Sequence, residues 1–116
     1  MLVPSGEPTH LDLTVLNSTS IQMVWSPPLE VDQNGLITNY SINISNLESG
    51  NSNTLSVSSM THRRVFHQLH PYTTYGIAVA AENSAGVGPF TSVMYARTSE
   101  DGELYILAKR VHMLYP

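Results

Sequence analysis

Cysteine is absent from the 116 residues, which removes disulfide staples, thiolate zinc sites and cysteine nucleophiles together. The redox compartment stays open. Cations are scarce as well: five Lys and Arg stand against nine Asp and Glu, for a net charge of −4. Arg63, Arg64, Arg97, Lys109 and Arg110 form no basic stripe that could neutralise a phosphate backbone, so nucleic acid is not expected as a partner. There is no Gly-x-Ser-x-Gly elbow and no phosphate loop, and Asp12, Glu30, Asp32, Glu48 and Glu82 are spread among strand edges and turns. No catalytic residue and no cofactor site is assigned. No apolar run approaches the roughly 20 residues of a bilayer-crossing helix, so this segment is not expected to insert in a membrane. Met1-Leu-Val-Pro4 carries neither a charged nor an apolar targeting region, so an extracellular chain would be a piece of something longer. At 41 % hydrophobic, the length suits one domain with a single modest core.

What the chain does contain is strand periodicity. Residues 1–7 read as an irregular leader with Pro4 and Gly6. Leu11, Leu13 and Val15 then alternate with polar neighbours, and Ile21, Met23 and Trp25 do so again after the turn Asn17-Ser-Thr-Ser20. Pro27-Pro28 ends that strand, and Asp32-Gln-Asn-Gly35 supplies a turn before Tyr40, Ile42 and Ile44 point inward. Leu55 and Val57 form a short strand, and Arg64 to Leu69 forms another anchored by Phe66. The clearest alternation is Tyr75, Ile77, Val79 and Ala81, a central strand with one buried face. It must stop near Glu82, where Asn83, Gly86, Gly88 and Pro89 read as a loop. Thr91 to Thr98 closes the count at seven strands. Turn signals recur at roughly the 8 to 12 residues of an immunoglobulin-like sandwich, and no helix is needed before Ser99.

Five motifs in order carry a resemblance. They are Pro8 with Leu11 and Leu13; Trp25-Ser-Pro-Pro28; Asn34-Gly35-Leu-Ile37-Thr-Asn-Tyr40; Leu69-x-Pro71-x-Thr73-x-Tyr75; and Val79-Ala-Ala81-Glu-Asn83-x-x-Gly86-x-Gly88. Over about residues 8 to 98 the chain resembles a fibronectin type III domain. That resemblance implies an all-β, seven-stranded sandwich without a disulfide. It also implies a tyrosine corner at Tyr75 whose phenol bonds back to the backbone, and a non-catalytic role in receptors or adhesion proteins. Trp25, Tyr40, Leu69 and Tyr75 are the expected structural core. Without a disulfide the sheets must be held by packing, at roughly 1.5 to 3 kcal/mol per large buried side chain.

The family often binds partners through the loop after the sixth strand, here Asn83, Ser84, Ala85, Gly86 and Val87, presented as a mobile loop on a rigid sandwich. The same residues are also accounted for simply by making the turn. There is no Arg-Gly-Asp tripeptide, and the single tryptophan excludes a Trp-Ser-x-Trp-Ser box. Asn17, Asn39 and Asn43 head Asn-x-Ser/Thr sequons and are candidate glycosylation sites. His62 and His67 fall on opposite faces of a strand, so no metal site is assigned.

The expected role is a spacer or protein-binding unit in an extracellular receptor or adhesion protein, joined to neighbouring domains of a longer chain. Two alternatives are an intracellular structural module of a muscle or cytoskeletal protein, and an accessory domain of a receptor phosphatase or kinase. Residues 99–116 are a linker and an atypical tail. Leu104, Leu107, Ala108, Val111 and Leu114 recur at helical spacing, which allows an amphipathic helix beside the readings of an alternative ending or a disordered remnant.

Overall fold

The computed structural model describes residues 2–100, so the helical expectation for the tail lies outside the described residues. Eight strands build two antiparallel sheets. One sheet has the order β1 (Thr9–Asn17), β2 (Ser20–Ser26), β5 (Arg63–Phe66). The other runs β4 (Ser52–Ser58), β3 (Asn39–Asn46), β6 (Thr74–Asn83), with β7 (Gly86–Phe90) and β8 (Met94–Arg97) both paired to the far side of β6. Among the described residues a single 3₁₀ turn, Glu30–Asp32, follows the proline pair.

The alternating residues meet where the pattern places them. Ile21, Met23 and Trp25 from the first sheet face Tyr40, Ile42, Ile77, Val79 and Ala81 from the second, all at most 3 % exposed. Register puts Tyr40 opposite Ala81, Ile42 opposite Val79 and Ile44 opposite Ile77, so the inner faces of β3 and β6 form one continuous apolar surface. Trp25 meets Tyr40 edge to face with ring centroids 5.6 Å apart, a geometry worth about 0.5–1.5 kcal/mol beyond area burial. Leu69 is partly buried against this cluster. The corner forms as expected: the His70 N–H donates to the Tyr75 phenol oxygen at 2.8 Å.

Two expectations are corrected. The central strand β6 is buried on both faces, not one. The middle of its outer face carries the small residues Gly76, Ala78 and Ala80, and the segment that includes Val93 and Tyr95 folds across it. A Cβ at Gly76 would stand 2.9 Å from Val93 Cγ1 and 3.3 Å from Tyr95 Cε1, so the strand is small there because another segment lies on it. The strand count is eight rather than seven because Gly86–Phe90, expected as loop, pairs with β6 as β7, while the expected last strand Thr91 to Thr98 is shortened to β8 and the two are separated between Phe90 and Met94. At the interruption Thr91 bonds to Val79 with both backbone and side chain, its N–H donating to the Val79 carbonyl (2.9 Å) and its hydroxyl accepting from the Val79 N–H (3.1 Å).

Candidate partner-binding pole

The β6–β7 hairpin sits at one end of the sandwich with the leader and the segment after Pro28. The expected mobile loop is instead a two-residue turn, Ser84-Ala85, between paired strands. Asn83 does not belong to its surface. It is 2 % exposed, and its Nδ2 donates to the carbonyls of Leu2 (2.8 Å), Gln33 (3.1 Å) and Asn34 (3.1 Å). Its Oδ1 accepts from the Ala85 N–H at 2.9 Å. One amide thus ties together three segments that are remote in sequence. Ser84, Ala85 and Val87 remain at the surface, with Gly86 half-buried against Val3.

The leader is held at several further points. Ser5 N–H donates to the Asp32 carbonyl (2.8 Å), Asn34 Nδ2 to the Val3 carbonyl (2.9 Å), and Pro4 is fully buried. Gly88 permits this, since a Cβ there would lie 2.6 Å from the Pro4 carbonyl oxygen. With the backbone so fixed, a set of apolar side chains is left facing water: Leu2 (72 %), Val31 (81 %), Leu36 (83 %), Leu29, Val3 and Val87. Sequence reasoning passed over them because none belongs to a periodic stretch. Their signal is a run of isolated apolar residues in segments of turn composition.

The opposite pole is closed by polar bonds. Thr98, 1 % exposed, donates its hydroxyl to the His70 carbonyl (2.6 Å) and accepts from the Thr73 N–H (2.9 Å). Tyr72 N–H reaches the Ser99 carbonyl at 2.9 Å, and the Arg97 guanidinium lies 4.8 Å from the Tyr72 ring centroid. The ten residues of β6 separate the poles, about 30 Å at the usual strand rise.

The remaining expected positions are dispersed. Asn17 is exposed at the end of β1, its Oδ1 accepting from the Thr19 N–H and hydroxyl. Asn39 is half-buried on β3, and the Asn43 Nδ2 donates to the Ser52 and Thr54 hydroxyls at 3.1 and 3.0 Å. His62 packs edge to face on Tyr40, and His67 Nδ1 lies 3.4 Å from Ser20 Oγ. Burial pushes the Tyr40 phenol above its ordinary pKa. Among the described residues no helix is long and apolar enough to cross a membrane.

The family model for the fibronectin type III domain matches residues 6–97, and the chain belongs to that family. Mouse receptor-type tyrosine-protein phosphatase F is 36 % identical over 96 residues, covering 83 % of this chain and 5 % of that protein. Human cell adhesion molecule DSCAM is 33 % identical over 107 residues, covering 88 % of this chain and 5 % of that protein. This chain therefore corresponds to about one twentieth of those relatives. Among solved structures, the fn3 domain of human contactin 1 superposes with a TM-score of 0.75 at 30 % identity, covering 88 % of this chain and 84 % of that one. The FN5 domain of Drosophila Lar gives 0.68 at 32 %, covering 85 % and 100 %.

Proposed function

We propose that this domain is a non-catalytic module of the extracellular part of a receptor or cell-adhesion protein, acting as an in-line spacer and offering its apolar pole to a protein partner. The observation that carries the reading is polarity of the chain path. Residues 2–6 enter at the pole held by Asn83, and Thr98 and Ser99 leave at the other, so force or spacing is transmitted along β6 between pinned ends. A module joined at both ends in this way lengthens an array. The similarity to a receptor-type phosphatase and to a cell adhesion molecule supports the cell-surface placement. Asn17 is the sequon best placed to carry a glycan, because it is exposed whereas the Asn43 amide is committed to β4.

The test is surface labelling of intact source cells with an antibody raised against this domain, before and after enzymatic removal of N-linked sugars. A large parent chain stained without permeabilisation, falling in mass on sugar removal, supports the reading. Staining only after permeabilisation, with no mass change, overturns it in favour of an intracellular structural module.

A further inference from the structure

Sheet edges in this domain are guarded, with one exception. An exposed edge is a template for another strand, and proteins blunt it with charge, proline, bulges or short length. β1 has register irregularities near both ends and a left-handed His10 (φ 53°). β5 is four residues long and carries Arg63-Arg64, β7 contains Pro89 beside a register shift, and β8 is four residues long with Arg97. β4 has none of these. Ser52-Asn-Thr-Leu-Ser-Val-Ser58 is uncharged, contains neither proline nor glycine, and pairs with β3 through seven consecutive residue pairs without a bulge. Its other side faces no strand among the described residues. The outer face of β4 is also fixed in place, since the Asn43 amide and the Ser45 hydroxyl (3.1 Å) hold Ser52, and Asn43 holds Thr54.

We infer that β4 is a self-pairing edge, on which the β4 strand of a second copy of this chain docks antiparallel to extend the sheet across both molecules. The occupant is indicated by the sequence of the edge itself. A two-fold axis at Leu55 sets Ser52 against Ser58, Asn53 against Val57, Thr54 against Ser56, and Leu55 against Leu55 of the second copy. In such pairing only the centre meets its own like, and it is the uncharged Leu55; at the exposed positions Ser52 meets Ser58 and Thr54 meets Ser56, hydroxyl facing hydroxyl, a self-complementary match that a second copy of this same strand supplies. Leu55 and Val57 are half-buried and lie on the inner face of the sheet. Beside β4, an open cleft of about 350 Å³ is lined by Ile44, Leu55, Phe66, Leu69 and Tyr75 together with a similar number of polar residues, Asn53 of β4 among them. A second Leu55 on the same face continues that apolar row. The inference holds whichever compartment the module occupies.

One strand pair buries less than the roughly 1,200 Å² of a standard interface, so the dimer is weak and is populated only at high protein concentration. In long chains carrying the module, multivalency would raise its effect. The experiment is sedimentation equilibrium of the full chain up to about 1 mM, a concentration at which even a dimer with a millimolar dissociation constant is populated. It compares the parent with two double variants at exposed positions: Thr54→Lys with Ser56→Lys, and Thr54→Glu with Ser56→Lys. The first places Lys opposite Lys twice and is expected to weaken the dimer at least tenfold. The second places Glu opposite Lys twice and is expected to keep or tighten it, with melting temperature checking that each variant folds. A monomeric parent at 1 mM, or a dimer equally strong in both variants, overturns the assignment. So does a dimer lost only on removing residues 101–116.

Discussion

Replacing Asn83 separates a framework role from a surface role. Asn83→Ala deprives the Leu2, Gln33 and Asn34 carbonyls of their shared donor and the Ala85 N–H of its acceptor. The amide has two N–H groups for three carbonyls, so the loss is about three full bonds at roughly 0.5–1.5 kcal/mol each. Leu2 is largely exposed, so water replaces part of its bond, and about 2–3 kcal/mol is expected. For a domain of this size that lowers the melting temperature by about 10–20 °C. Asn83→Asp adds a pH signature. It keeps the acceptor for Ala85 but aims a carboxylate oxygen at three carbonyls, so the folded state favours the protonated acid and raises its pKa above the usual value of about 3.9. The variant's stability deficit is therefore smallest below pH 4 and grows as pH rises through the raised pKa. Calorimetry from pH 3 to 7 reads both effects. An Asn83→Ala protein that melts within 2 °C of the parent (about 0.5 kcal/mol or less) would refute the framework role and return Asn83 to the partner surface.

Three further outcomes are expected. Trp25→Ala removes the largest side chain linking the sheets and should cost about 3–5 kcal/mol in urea unfolding; a parent-like midpoint would mean the core is organised elsewhere. Gly88→Ala forces a Cβ to within 2.6 Å of the Pro4 carbonyl oxygen unless the backbone moves, with an expected loss of about 1–3 kcal/mol. Hydrogen exchange should then rise in residues 2–6 before the rest of the sandwich. The raised Tyr40 pKa means the folded state disfavours the phenolate, so its contribution is intact below about pH 10 and fades as pH climbs through the folded value. Tyr40→Phe should flatten the alkaline decline in melting temperature, and an unchanged slope would assign that decline to other groups.

A strand states which of its own faces is buried through local alternation alone. Ile21, Met23 and Trp25, then Tyr40, Ile42 and Ile44, then Tyr75, Ile77 and Val79 are legible because alternation is local and needs no partner to be read. The tyrosine corner was implied by the family resemblance of Leu69-x-Pro71-x-Thr73-x-Tyr75, a motif that can be read along the chain because its donor and acceptor lie five residues apart. Tertiary structure decided what depends on remote segments. The outer face of β6 is dry because residues near Val93 and Tyr95 cross Gly76, which no pattern within β6 announces. Asn83 is a buried clamp because its acceptors come from 81, 50 and 49 residues away. Composition in that stretch supports a turn equally well. The unguarded edge is likewise a property of the sheet order: Ser52–Ser58 is an ordinary polar strand until β3 alone is found beside it. Backbone hydrogen-bond supply and steric cover are set by chain closure, and only the assembled sandwich assigns them.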